Sequence, residues 1–304
     1  MSEAPKPGSY AQTDPTIVAS YPTTLPSATP VSRKKPTLAS FSLEGKTAVI
    51  TGGARGLGYV MTQALVESGA DVAIVDLNGD EAAKAASRLL EQWKSENTDA
   101  DKLPVITSHK ADVSNAADVD RVFAEILAAH NNHVDTLVTS AGLCENFPAE
   151  QYPPDRLQYI MSVNVNGTYY FAAALAKHLI AVKKPGSMVF IGSMSGAIVN
   201  IPQPQAPYNA SKAAVRHLAS SFAVEWAQYG IRVNCISPGY MLTDLTKRIL
   251  EERPELGEKW RSLTPVGRMG DPKDLMGAVV YLSSDAAGFV TGAELRVDGG
   301  YTVT

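Results

Sequence analysis

Seven short apolar runs, each parted from the next by a stretch of helical periodicity, constrain this chain more than any other feature. They are TAVIT (47–51), VAIVD (72–76), PVITSHKAD (104–112), DTLVTSAG (135–142), GSMVFIGS (186–193), IRVNCISPG (231–239) and ELRVDGG (294–300). Their β-branched content, and apolar residues at consecutive positions, suit strands buried on both faces. Between the first two, Leu57, Val60, Met61, Ala64 and Leu65 recur at helical spacing, and Gly69 follows as a C-terminal cap. Strict alternation of strand and helix implies a doubly wound α/β fold. A mostly parallel, seven-stranded sheet flanked by helices on both faces is expected, in one domain over residues 41–304.

Residues 1–40 break this pattern. Pro5, Pro7, Pro15, Pro22, Pro26, Pro30 and Pro36 fall among Ser, Thr and Ala without apolar periodicity, the composition of a disordered tail. The tail has no apolar stretch of a secretory signal. It carries the basic SRKK, but Glu3, Asp14 and the prolines oppose an amphipathic transit helix, so a cytoplasmic protein is expected, with a mitochondrial address as the alternative. A net charge of −4 and the lack of a basic block argue against nucleic acid as a partner. No apolar run reaches the length of a membrane span. Cys144 and Cys235, in apolar surroundings, read as reduced core or near-core thiols. His130 and His133 in HNNH read as a solvated helix end rather than a metal site, because no further ligands accompany them.

TGGARGLG (51–58) links the first strand to the first helix. Gly52, Gly56 and Gly58 keep side chains away where backbone must approach a pyrophosphate, and the helix start offers N–H groups and positive dipole. Arg55 and Leu57 belong to the same cofactor-facing loop. Eighteen positions on from Gly58, Asp76 ends the second strand. A carboxylate there accepts the ribose hydroxyl protons of NAD and repels the 2′-phosphate of NADP. Leu77 follows it, so no adjacent cation reverses the preference, although Arg55 is a counter-signal. Asp112 and Val113 in ADV are placed beside the adenine, and Ala141 and Gly142 in TSAG line the cofactor cleft.

The chemistry gathers at the carboxyl ends of later strands. Ser193 and Ser195 leave the fifth strand in FIGSMSG, Asn164 and Asn166 lie in SVNVNGTYYF, and PYNASKAA sets Tyr208 four residues before Lys212. That spacing puts phenol and ammonium on one helix face. An unaided phenol is a poor base at neutral pH, with a pKa of about 10, but a neighbouring ammonium and an oxidised nicotinamide both favour its phenolate.

The combination TGGARGLG, SAG, GSMSG, YNASK, SPGYMLT and VDGG resembles the short-chain dehydrogenase/reductase family over residues 41–304. The resemblance implies a Rossmann-type fold and an Asn164–Ser193–Tyr208–Lys212 tetrad. In it Tyr208 is the acid/base and Ser193 positions the substrate oxygen. Lys212 binds the nicotinamide ribose and lowers the tyrosine pKa, while Asn164 holds a relay water. Pro238, Gly239 and Thr243 of SPGYMLT would contact the cofactor, Thr243 at its carboxamide. Two features depart from the family pattern: Ser140 stands where it has asparagine, and the segment from Ser193 to Tyr208 is about two residues longer. That segment places Ser195, Asn200, Gln203 and Gln205 near Tyr208, groups that donate and accept and so suit a polyhydroxylated substrate.

With SLTPVGRMG and DGGYT, the same loop is similar to fungal mannitol and arabinitol dehydrogenases and ketose reductases. The expectation is an NAD(H)-dependent polyol dehydrogenase, interconverting D-arabinitol and D-ribulose or reducing xylulose, and assembling as a homotetramer. The alternatives are an NADP(H)-dependent mannitol dehydrogenase, a carbonyl reductase of a secondary metabolite, or a nucleotide-binding scaffold without turnover.

Overall fold

The computed structural model describes residues 36–98 and 102–304. The apolar runs become strands β1 (Thr47–Thr51), β2 (Asp71–Asp76), β3 (Ile106–Lys110), β4 (Thr136–Thr139), β5 (Gly186–Ile191), β6 (Ile231–Pro238) and β7 (Glu294–Val297). All pair in parallel, in the order β3-β2-β1-β4-β5-β6-β7. The chain winds outward from β1 in one direction, then restarts at β4 and winds in the other. The switch therefore lies between β1 and β4, where an open α/β sheet has its crevice.

The main helices in chain order are α1 (Gly56–Glu67), α2 (Gly79–Glu96), α3 (Ala116–Ala129), α4 (Pro154–Met161), α5 (Gly167–Val182), α6 (Ala206–Trp226), α7 (Asp244–Glu252), α8 (Pro254–Ser262) and α9 (Met276–Ser283). They cover both faces of the sheet. Val49 points into a core half built with Phe123 of α3, Leu175 of α5 and Phe222 of α6. Its neighbours Ala48 and Ile50 point the opposite way, towards Leu65 of α1, Leu89 of α2 and Val279 of α9. This two-sided burial is why the strands read as unbroken apolar runs. Each of the larger of these side chains contributes about 1.5–3 kcal/mol when fully buried. Helix α1 stops as the sequence implies: Ala70 N–H bonds Leu65 O at 3.0 Å and Gly69 N–H bonds Val66 O at 2.9 Å, a Schellman closure.

Several strands end earlier than their apolar runs, and the released residues become site loops. After β4, Ser140 N–H bonds Thr51 O at 3.1 Å and Ala141 N–H bonds Thr51 Oγ1 at 3.2 Å. Thr51 thus braces the loop in which Ser140 replaces the usual asparagine. After β7, Asp298 accepts from Gly300 N–H at 3.0 Å and turns the chain out of the sheet. Residues 1–35, most of the expected tail, lie outside the described residues; Leu38–Phe41 forms a 3-10 turn that buries Ser40. Among the described residues no helix is long and apolar enough to cross a membrane. The core expectation for the two cysteines holds for buried Cys235 and not for Cys144, which the structure leaves exposed.

The reading of HNNH as a solvated helix end needs correction at His130, which is buried. It caps α3 and reaches the edge strand, where Thr107 Oγ1 lies 2.8 Å from His130 Nε2 and 2.9 Å from His109 Nε2. His133 instead pairs with Asp135 at 2.6 Å. Burial lowers the pKa of both His109 and His130, opposed at His109 by Glu125 and at His130 by Asp71. Their folded forms resist protonation that the unfolded chain accepts below about pH 6.5, so stability falls as pH drops through that point. Thermal melts between pH 7.5 and 5.5 should show this loss, and a His109→Gln/His130→Gln variant should show a flatter profile. Equal slopes would refute the assignment.

Candidate active site

The phosphate end is built by close packing. Gly52 has φ +66°, and a Cβ on it would lie 2.7 Å from Ala141 Cα, so the glycine loop and the β4 loop touch at the switch point. A Cβ on Gly58 would lie 2.1 Å from Gly52 O, which only glycine avoids. Gly56 faces open space at the start of α1, beside exposed Arg55. Leu57 turns from the loop into the core half beneath α1.

Asp76 is fixed at the tip of β2. Its Oδ2 accepts from Ala54 N–H at 3.3 Å and its Oδ1 from Asn78 N–H at 3.1 Å. It borders a cleft of about 480 Å³ that also contains Arg55 and Lys110. Sequence reasoning missed Lys110. A Cβ on Gly79 would meet the Lys110 stem at 3.0 Å, so the lysine lies against the start of α2 and lines the same cleft as Asp76. An open cleft with a backbone-donor loop at one end and an anchored carboxylate at the other fits a dinucleotide.

Other expected cofactor residues have protein partners of their own. Asp112 Oδ1 accepts from Ser114 N–H at 2.9 Å and Ser114 Oγ at 2.7 Å. Val113 is buried against Gly167. Gly142 borders Asn164 and Lys212, where an added Cβ would lie 3.2 Å from Asn164 Oδ1. Pro238 ends β6, and Gly239 packs on the Asp298 backbone, 2.7 Å from the position of a Cβ. Thr243 caps α7, exchanging hydrogen bonds with Thr246.

The four expected catalytic residues converge. Asn164 is buried in a π-helical turn, Ser162–Asn166. Its Oδ1 accepts from Leu143 N–H at 2.9 Å, and its Nδ2 donates to Leu143 O at 3.0 Å and to Ser211 Oγ at 2.9 Å. Ser211 Oγ in turn donates to Tyr208 O at 2.7 Å, a link that the sequence did not announce. Ser193 caps the 3-10 turn Met194–Gly196, whose Gly196 sits tight on Lys212 of α6. Of the two serines, Ser193 is the one that faces the Tyr208 phenol and lowers its pKa; Ser193 Oγ donates to Ser195 Oγ at 3.1 Å.

Burial dominates the electrostatics. It pushes the Tyr208 phenol up to about 12, helped by Cys144, while the Ser193 hydroxyl pulls it down. It pushes buried Lys212 down to about 8. Lys212 Nζ lies 5.8 Å from the Tyr208 ring centroid and donates to Ile191 O at 2.8 Å.

Beside Tyr208 a polar network forms the rim. Gln205 Nε2 reaches Ser195 Oγ at 3.3 Å, Asn200 Oδ1 at 3.0 Å and Asn209 Oδ1 at 2.9 Å, and Cys144 Sγ lies 3.8 Å from Gln205 Oε1. Asn200 and Gln203 both donate to Tyr240 Oη. Gln205 and Asn200 are buried and Gln203 half-buried. The expected substrate residues are thus brought together, with Tyr240 as an addition.

Comparison with known proteins agrees with this architecture. A family model described as enoyl-(acyl carrier protein) reductase matches residues 52–302. The ribulose-forming D-arabinitol 2-dehydrogenase of Scheffersomyces stipitis is 44% identical over 86% of this chain and 95% of its own. The NADH-dependent L-xylulose reductase of Ambrosiozyma monospora is 42% identical over 86% of this chain and 97% of its own. Among solved structures, a gluconate 5-dehydrogenase of Burkholderia cenocepacia J2315 in complex with NADP and tartrate superposes with a TM-score of 0.79. It is 34% identical, over 88% of this chain and all of that one (100%). With the glycine loop, the serine turn and the Tyr–Lys helix all in one crevice, the chain belongs to the short-chain dehydrogenase/reductase family of nicotinamide-dependent oxidoreductases.

Proposed function

We propose that this chain interconverts a sugar alcohol and its ketose, in the manner of D-arabinitol and D-ribulose or of xylulose and its polyol, with NAD(H) as cofactor. The observation that carries the substrate class is the rim: Ser195, Asn200, Gln203 and Gln205 set donors and acceptors beside Tyr208. A polyhydroxylated chain can exchange hydrogen bonds with such groups, which both donate and accept, whereas a hydrophobic ketone offers them no polar partner. Relatives named for arabinitol and xylulose support the same reading.

The glycine loop (Gly52, Arg55, Gly56, Leu57, Gly58), Asp76, Asp112, Val113, Ala141, Gly142, Tyr208, Lys212, Pro238, Gly239 and Thr243 would hold the cofactor. When bound, the nicotinamide supplies the hydride donor or acceptor. The chain's own residues do the rest. In alcohol oxidation Tyr208 takes the hydroxyl proton; in ketone reduction it returns that proton to the carbonyl oxygen. Ser193 holds the same oxygen by a hydrogen bond. The Lys212 ammonium and, when bound, an oxidised nicotinamide would each favour the phenolate, and Asn164 fixes the β4 loop and, through Ser211, the start of α6.

For the cofactor, the anchored carboxylate of Asp76 favours NAD, and Arg55 and Lys110 work against it. Placing the carboxylate against a 2′-phosphate should give NAD an advantage of at least about tenfold in kcat/KM. Assays with both cofactors at equal concentration, over a panel of polyols, ketoses and hydrophobic ketones, test both halves. Clear preference for NADP refutes the Asp76 argument. Turnover of a hydrophobic ketone alone refutes the polyol reading. Exposed Tyr169 on α5 and Val224 on α6 support a homotetramer joined through those helix faces, which sedimentation equilibrium would check.

A further inference from the structure

Tyr240 stands where three segments meet, and the tetrad gives it no part. It follows Gly239 just beyond β6. Its hydroxyl oxygen accepts from Asn200 Nδ2 at 3.0 Å and Gln203 Nε2 at 3.1 Å, and lies 3.3 Å from Gln203 Oε1 as donor. Asn200 Oδ1 accepts from Gln205 Nε2 at 3.0 Å, so both ends of that amide are held. Through Gln205 the network runs on to Ser195 and Ser193.

The ring of Tyr240 is held just as firmly. It stacks on Trp260 of α8 with centroids 4.2 Å apart and planes 9° apart, and meets Tyr301 edge-on at 5.4 Å. Trp260 is 3% exposed and packs in a small cluster of its own with Leu256 and Met269. One residue thus joins the polar rim to helix α8.

Amide side chains on a loop carry rotamer freedom of about 1–2 kcal/mol each, which substrate binding must otherwise remove. A hydroxyl shared by two amides removes it beforehand. We propose that Tyr240 is a positioning residue that presets the Asn200 and Gln203 amides for a polyol, and that its stack on Trp260 couples this setting to α8. The proposal rests on the polyol reading of the site. Tyr208, Ser193 and Lys212 are held by α6 and the serine turn, so proton transfer does not depend on Tyr240.

Tyr240→Phe keeps the ring and removes only the hydroxyl. KM for the polyol should rise about tenfold, with kcat within about twofold and the Kd for NADH unchanged. Trp260→Leu keeps the hydroxyl and removes the stack, and should also raise KM. Because Trp260 acts through the Tyr240 hydroxyl, the double variant should be no worse than Tyr240→Phe alone. If the wild type turns over polyols and Tyr240→Phe keeps its KM, the positioning role is overturned. A joint fall of kcat, NADH affinity and melting temperature in Tyr240→Phe also overturns it, by marking a merely structural role. Strictly additive effects overturn the coupling to α8. A wild type that turns over no polyol defeats the functional reading first, and this proposal with it.

Discussion

Tyr208→Phe should lower kcat by at least about a thousandfold, while the Kd for NADH changes little. The substitution removes one oxygen and leaves the ring, the packing of α6 and the Ser211–Tyr208 backbone bond in place. Ser193 and Lys212 keep their positions, but among the described residues Tyr208 is the group assigned to exchange a proton with the substrate oxygen. Cys144 is a rival group on the rim; its side chain is exposed, but desolvation around the sulfur pushes its thiol up to about 11. A thiol in that state neither gives nor takes a proton readily at neutral pH. Stopped-flow turnover beside fluorescence titration of NADH separates chemistry from binding. A Tyr208→Phe enzyme with turnover near that of the wild type would remove the tyrosine from the mechanism.

Lys212→Met should abolish most turnover and also change how stability depends on pH. The buried ammonium has its pKa pushed down from 10.5 to about 8, so folding works against its charge. Below about pH 8 the lysine is charged in both states and the desolvation cost is fully present, on the order of 3 kcal/mol. Between pH 8 and 10.5 the unfolded chain binds more protons than the folded one, so this cost disappears as pH rises. Lys212→Met lacks it throughout. The stability of the variant relative to wild type should therefore fall by roughly that amount from pH 8 to 10.5. Whatever the freed Ile191 carbonyl costs is common to both ends of the range and drops out of the comparison. Parallel denaturation curves for the two proteins would contradict the burial argument.

Much of this was written locally in the chain. The strands were legible because both their faces are buried, so that neighbours such as Val49 and Ile50 are apolar towards different core halves. The glycine loop was legible because a side chain at Gly58 has nowhere to go, and the Tyr208–Lys212 pair because four residues make one helical turn. Long-range contacts were not legible. Tyr240 meets Asn200 and Gln203 from about forty residues away, and nothing in SPGYMLT announces a hydroxyl aimed at that loop. Lys110 was hidden for a similar reason, since it ends an edge strand and lines the cleft only by lying against Gly79. His130 looked solvated because α3 ends there, yet its partner Thr107 comes from that same distant edge strand. Strand ends were overestimated where loops such as Ser140–Gly142 keep β-like composition but leave the sheet to face the crevice.

The most direct test is to incubate the purified chain with D-ribulose and NADH and to identify the product by chromatography. The rim and the tetrad together predict oxidation of NADH in step with formation of D-arabinitol, and neither event with Tyr208→Phe. No NADH consumed with D-ribulose, xylulose or any other ketose, by a chain that binds NADH tightly, would contradict a polyol–ketose function.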